Sequence, residues 1–184
     1  LTESGKSLEI ASGSGQHIVQ LASSLPKYIW QPTDIDHKRI ISIDHRTKDN
    51  IHNNIKPALY LDATQEEWSL IYPNQNFILL INLLHLINWE KTKIVANEIF
   101  QSLALNGILI IYGPFMRDGK LTSEGDIEFH KSILEKDKNL GYKNDKTIII
   151  LLLKLGFTHL NTIKMPANNL AFIFKKLSNN IFQS

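Results

Sequence analysis

The chain has no cysteine in 184 residues. Disulfides, thiolate nucleophiles and cysteine-ligated metal are therefore excluded. Long apolar runs are missing too. Residues 77–87 are interrupted by Asn82 and His85, and residues 148–153 are shorter, whereas a membrane span takes about 18 apolar residues or more. Charge of one sign is not gathered into blocks. The 20 basic and 18 acidic residues are interspersed for a net charge of +2, which leaves no basic stripe to track a nucleic-acid backbone. Small-molecule or protein substrates suit this surface better than nucleic acid, and no membrane partner is expected. Histidines make no metal face, because His37, His45 and His52 are spaced neither i,i+3 nor i,i+4. With no clustered His, Asp and Glu set either, no metal is expected. No signal peptide is visible, so the default location is cytoplasmic. The first residue is Leu1 rather than methionine, and a further segment is expected upstream.

What is present is ordinary for a globular protein, with 43% hydrophobic and 21% charged residues. The length suits one domain over residues 1–184. Apolar runs alternate with longer helical or polar segments, the rhythm of βαβ units around a mainly parallel sheet. Strands are expected near residues 7–11, 28–35, 58–62, 76–83, 107–112, 158–164 and 170–175. Helices are expected near 16–24, 37–53, 90–105, 123–137 and 145–155. The six Ile and Leu residues at 148–153 suit a buried strand as well as a helix, but Gly156 after Leu155 reads as a helix C-cap. Only residues 165–169 separate the last two strands, which makes them an antiparallel pair. A loop containing Gly119 is expected at 115–122, beyond the fifth strand. Loops at that edge of an open α/β sheet are where ligands bind.

Leu8 to His17 carries the most chemical information. An apolar run ends at Glu9, followed by Ala11, Gly13 and Gly15 and the start of a helix. Glycine there permits positive φ and a close ligand approach, and the helix end presents unpaired N–H groups. A dinucleotide fingerprint needs a third glycine where Ile18 stands. Gly5-Lys6-Ser7 looks like the tail of a P-loop but precedes the first strand instead of following it. What remains is an acid-x-small-x-Gly-x-Gly turn. It resembles motif I of class I methyltransferases that use S-adenosylmethionine (SAM), with Ala11 in place of the usual first glycine.

Three further features fall at strand ends. Asp34, 19 positions after Gly15, suits the two hydroxyls of a ribose. It or Asp36 could instead cap the following helix, and the pair forms a D-x-D of the kind that holds metal in glycosyltransferases, which nothing else supports. Asp62 suits an adenine amino group or the cap of a short turn. Asn82 ends the fourth strand. Glu9 either touches ligand or is paired inside the domain.

Several longer blocks occur in one order. They are Gly15-Gln16-His17, Trp30-Gln31-Pro32-Thr33-Asp34, Tyr112-Gly113-Pro114-Phe115, Thr122-Ser123-Glu124 and Met165-Pro166-Ala167-Asn168-Asn169. From Leu8 to Lys176 the chain resembles the uncharacterised SAM-dependent methyltransferase-like family that includes methyltransferase-like protein 26 (domain of unknown function 938). The resemblance implies a Rossmann-like class I methyltransferase fold: a seven-stranded, mostly parallel sheet with an antiparallel last strand and helices on both faces. It implies SAM as cofactor at the carboxyl edge, held by Glu9, Ala11, Gly13, Gly15, Asp34, Asp62 and Asn82. It carries no substrate. Members have a further N-terminal segment, a possible lid that this chain does not show.

A SAM methyl group is already activated, so an enzyme must chiefly align the acceptor in line and exclude water. A base is needed only where the acceptor must lose a proton. His17, in the first turn of the first helix, and His85, after the fourth strand, are the candidates, each also readable as a structural histidine. Tyr112, Pro114 and Phe115, with Trp89 and Met165, could wall an apolar acceptor pocket or belong to the core. Asn168 and Asn169 could orient an acceptor or shape a turn, and Ser123 with Glu124 reads as a helix start. The chain has no Asp/Asn-Pro-Pro-Tyr after the fourth strand, which disfavours nucleobase and glutamine nitrogen acceptors. The expectation is a methyltransferase acting on a small molecule by direct in-line transfer. Its rivals are a catalytically silent SAM-binding protein and, disfavoured by Ile18, a nicotinamide oxidoreductase.

Overall fold

The computed structural model describes residues 4–49 and 53–177. Side-chain alternation along β1 (Gly5–Ile10) sets the plan. Leu8 and Ile10 join the larger core on one face of the sheet, so the period of two sends Ser7 and Glu9 to the other. Around β1 the chain adds α1 (Gln16–Ser24), β2 (Tyr28–Asp34), α2 (His37–Thr47) and a two-residue β3 (Leu59–Tyr60). Then come α3 (Trp68–Ile71), β4 (Gln75–Ile81), α4 (Trp89–Ser102) and β5 (Leu103–Met116). The C-terminal part holds α5 (Glu124–Leu134), β6 (Lys143–Asn144), α6 (Asp145–Leu155), β7 (Phe157–Lys164) and β8 (Asn169–Lys176).

The strand order is β3-β2-β1-β4-β5-β8-β7, with β6 beside β5. β1 to β5 run parallel, and β8 is antiparallel to both of its neighbours. This is the class I methyltransferase arrangement with its reversed last strand. The larger core packs Leu8, Ile78, Leu80, Leu109 and Phe172 of the sheet with Val95 and Ile99 of α4 and Ile148 and Leu152 of α6. Those helix pairs are spaced i,i+4, one face of a helix. The smaller core sets Ile18 and Ala22 of α1 against Tyr28, Trp30, Phe77 and Leu79.

The ambiguous Ile/Leu run is helical, closed by Gly156 in the left-handed conformation at φ 102°. Three expected helices are shorter, among them α5, which ends at Leu134 rather than near 137. α2 stops at Thr47 because the chain past it is drawn into extended pairing: Trp30 donates to the Asn54 carbonyl, and Lys56 to that of Trp30, both at 2.8 Å. His52, expected on that helix, lies outside the described residues. α4 stops at Ser102 because Leu103 already pairs with Gln75. β5 is correspondingly longer than expected and runs through Phe115 to Met116, so the loop expected at 115–122 shrinks to a turn closed by Arg117 and Lys120. The short α3, β6 and the 3-10 turn Leu84–Leu86 carry too few residues to leave a periodic signal.

Candidate functional site

At the carboxyl end of β1 the chain turns on three left-handed residues, Ala11 (φ 56°), Gly13 (φ 60°) and Gly15 (φ 74°). Ala11 is the costly one, since its Cβ opposes this conformation by about 1–2 kcal/mol. A Cβ at Gly13 would meet nothing within 4 Å, so the space in front of it is open. Gly15 is the N-cap of α1 and gives the helix no side-chain cap.

The turn is held from below by β2. Ser12 donates its N–H to the Thr33 carbonyl at 2.8 Å, and the Thr33 hydroxyl donates to the Glu9 carbonyl at 2.8 Å. Asp34 is 1% exposed; its carboxylate accepts the Gly13 N–H at 2.9 Å and the Asp36 N–H at 3.0 Å, with the Arg39 guanidinium 3.8 Å away. Asp36 caps α2 by accepting from the Lys38 N–H at 2.8 Å. The capping alternative thus belongs to Asp36, while Asp34 ties the glycine turn to β2.

Glu9 is 1% exposed, and neither carboxylate oxygen has a hydrogen-bond partner. Burial pushes its carboxyl up to about 7, with the nearby Ser12 hydroxyl opposing the shift and the Asp34 carboxylate adding to it.

Two cavities flank the turn. One of about 510 Å³ is lined by Ala11 to Ser14, His17, Lys38, Arg39, Ser42, Ile81 and Asn82. The other, about 250 Å³, is walled by apolar Ile35, Leu61, Ala63, Leu83 and Leu86, with Asp62 and Lys91 among its polar groups. Asp62 accepts from the Thr64 N–H and hydroxyl and from the Gln65 amide. Burial works against its charge, but these bonds and the Lys91 ammonium hold the carboxyl below its ordinary value. An apolar groove of about 610 Å³ opens beside the first cavity, sharing His17 and Ile81 with it and reaching Tyr112, Met165 and Pro166.

His17 is exposed on α1 and faces both spaces. His85 is 6% exposed, edge-on to Phe129 and Tyr142, and burial together with the Lys143 charge lowers it to about 4, so its ring is neutral. Tyr112 reaches the groove, but Phe115 does not line it: it is 3% exposed and packs edge-on against Phe172. Trp89 packs against the larger core. Asn168 and Asn169 shape the β7–β8 turn. The Asn168 amide donates to Ser123 and Asp126, and the Asn169 amide to the Pro166 carbonyl.

Sequence reading missed Asp126, whose carboxylate accepts from Thr122, Ser123, Tyr142 and Asn168. The available signal was the Ser123 cap with an acid three positions on, which marks only a helix start. Lys143 was missed too. Its ammonium donates to the Ile87 and Gly141 carbonyls, and burial lowers it to about 8. Among the described residues no group of three or more His, Cys, Asp or Glu could hold a metal ion, and no helix is long and apolar enough to cross a membrane.

The sequence profile described as "Protein of unknown function (DUF938)" matches residues 1–176. The chain belongs to this family. Its fold is shared with solved methyltransferases. An O-methyltransferase family protein from Burkholderia thailandensis matches with a TM-score of 0.79 at 13% identity, over 95% of this chain and 51% of that one. An O-methyltransferase family 2 protein from Planctomyces limnophilus, solved with apigenin, gives 0.82 at 13% identity, over 96% and 52%. Human N-acetylserotonin methyltransferase, solved with SAM, gives 0.76 at 14% identity, over 94% and 48%. This DUF938 chain spans about half the length of these proteins, and identities this low speak for the fold alone.

Proposed function

We propose that this chain binds SAM at the glycine turn and is a methyltransferase acting on a small-molecule acceptor. The observation that carries the reading is the open backbone cradle of Ala11 to Ser14, where a Cβ at Gly13 would meet no atom within 4 Å. It lies at the end of a strand whose buried Glu9 carboxylate has no hydrogen-bond partner. A buried polar group without a partner costs free energy that a ligand can recover. SAM-bound and apigenin-bound proteins of the same fold support the choice of ligand class.

Asp34 would hold the ribose, its oxygens having lone pairs beyond those given to Gly13 and Asp36. The 250 Å³ cavity would take the adenine between apolar walls, with Asp62 at its polar end. Gly13 and Asn82 would leave room for the rest of the cofactor, whereas the missing side chain of Gly15 makes room for Ile43 of α2. SAM supplies a methyl group already activated by its sulfonium. The chain's part is to orient an acceptor at the mouth formed by Tyr112, Met165 and Pro166, and to keep water out. Where the acceptor is a hydroxyl, His17, which lines both the cradle and the groove, would take its proton. His85 lines neither and would serve only where its cover of Phe129 and Tyr142 opens, as a weak base lowered to about 4. Residues 1–184 form one domain in this reading, working without metal.

One observation favours a second reading, a silent SAM-binding protein: His85 is shut in beneath Phe129 and Tyr142. Calorimetric titration with SAM tests the cofactor. Gly13→Val fills the open space with a side chain, and is expected to weaken binding more than about a hundredfold, roughly 3 kcal/mol. Full-strength binding in a folded Gly13→Val would sink the proposal. Labelled methyl transferred to acceptors in a cell extract separates enzyme from silent binder.

A further inference from the structure

The blocks Thr122-Ser123, Tyr142 and Met165 to Asn169 are far apart in sequence, yet one side chain gathers them. Asp126 of α5 is 7% exposed. One of its oxygens accepts from the Thr122 hydroxyl at 2.6 Å, the Ser123 hydroxyl at 2.9 Å and the Asn168 amide at 3.1 Å. The other accepts from the Tyr142 hydroxyl at 3.2 Å. Four donors converge on one acceptor-only group, which an amide, with a single acceptor oxygen, cannot reproduce.

One arm ends at the apolar groove and the other at His85, which is buried and lines neither the groove nor the two cavities. The Asn168 arm holds a turn in which Ala167 (φ 52°) and Asn168 (φ 57°) are both left-handed, a pair that needs outside support. Arg117 supplies more, donating to the Asn168 carbonyl at 2.7 Å. Met165 and Pro166 of that turn line the apolar groove next to Tyr112. The Tyr142 arm reaches the candidate base. The Tyr142 ring stands edge-on to His85, centroids 6.1 Å apart, and Gly141 donates its N–H to the His85 carbonyl at 2.9 Å.

We infer that Asp126 is a positioning residue of the acceptor site, fixing the β7–β8 turn through Asn168 and the His85 ring through Tyr142. This rests on the methyltransferase reading only in naming His85 a base and the turn an acceptor wall. The carboxylate acts through other groups and touches neither cofactor nor acceptor.

The experiment compares the wild type with Asp126→Asn, Asn168→Ala and Tyr142→Phe, each in protein with labelled histidine. It reads the ring-current-displaced His85 resonances, amide exchange at Met165 and Asn169, and the dissociation constant for S-adenosylhomocysteine. Asn168→Ala is expected to speed exchange in the turn about tenfold, a loss of roughly 1.4 kcal/mol of local protection, with His85 unmoved. Tyr142→Phe is expected to shift the His85 resonances and spare the turn. Asp126→Asn is expected to do both, with S-adenosylhomocysteine affinity within about twofold of wild type in every variant. General loss of stability would not separate the two arms, so both effects appearing together in all three variants overturns the inference. So does Asp126→Asn leaving both signals in place. Should wild type fail to bind S-adenosylhomocysteine, the cofactor reading falls while the two structural signals still decide the role of Asp126.

Discussion

Glu9 and Asp126 are both buried acids, and their surroundings are opposite. Asp126 draws four donors, and although burial disfavours its charge, those bonds hold it below the ordinary carboxylate range. Glu9 draws none to its carboxylate and burial lifts it to about 7. A saturated acid stabilises the segments that it joins. An orphan acid, here two residues before an open turn, destabilises the free protein. The two halves of the sheet edge thus divide their labour: the β1–β2 side is left incomplete around a cradle, and the β5–β8 side is tied tight.

The largest effect is expected from removing the saturated acid. Asp126→Ala strands the buried Tyr142 hydroxyl and releases Thr122, Ser123 and Asn168, and should cost about 3–5 kcal/mol by chemical denaturation. A loss under about 1 kcal/mol would make the network decorative, as exposed polar groups often are. Glu9 should behave in the contrary way. Below pH 4.5 its carboxyl is protonated both folded and unfolded. Between 4.5 and about 7 the unfolded chain ionises while the folded one does not, so stability falls as pH rises, and the loss is complete above 7. The gap between these values corresponds to about 3 kcal/mol. Glu9→Gln, which cannot titrate, should remove that slope from denaturation curves at pH 5 and pH 8. An unchanged slope would mean that Glu9 is ionised and paired in solution.

Asp34→Ala is expected to weaken SAM by roughly 1.5–3 kcal/mol, the range for charge-assisted hydrogen bonds. The variant also loses the Gly13 tie, so Asp36→Ala, which removes only a helix cap, is the control. If calorimetry shows Asp36→Ala weakened and Asp34→Ala unchanged, the ribose acid is Asp36.

Much of this was legible in sequence. α1 and α6 begin and end where Gly15, Gly156 and apolar spacing put them, and the strand rhythm matched the parallel sheet. The short 165–169 connection matched the antiparallel last pair, and the family resemblance carried the reversed last strand. The turn at Gly13 and Gly15 was legible because positive φ leaves a compositional mark. What escaped depends on distant partners. The early end of α2 follows from Trp30 pairing with Asn54 and Lys56, and that of α4 from Leu103 joining Gln75. Phe115 reads equally as pocket wall or core until β8 brings Phe172 against it. Asp126 looks like any acid in a first helical turn, since its partners at Tyr142 and Asn168 arrive only with the fold. Local chemistry shows in local sequence; a hub of long-range hydrogen bonds does not.

The central claim is that the glycine turn is a SAM site, and a thermal melt tests it most directly. SAM or S-adenosylhomocysteine at about a hundred times its dissociation constant should add about 2.7 kcal/mol, a rise on the order of 5–10 °C for a chain of this size. NAD and ATP should produce none. A melting temperature unmoved by the SAM pair, or moved equally by NAD, would contradict the account.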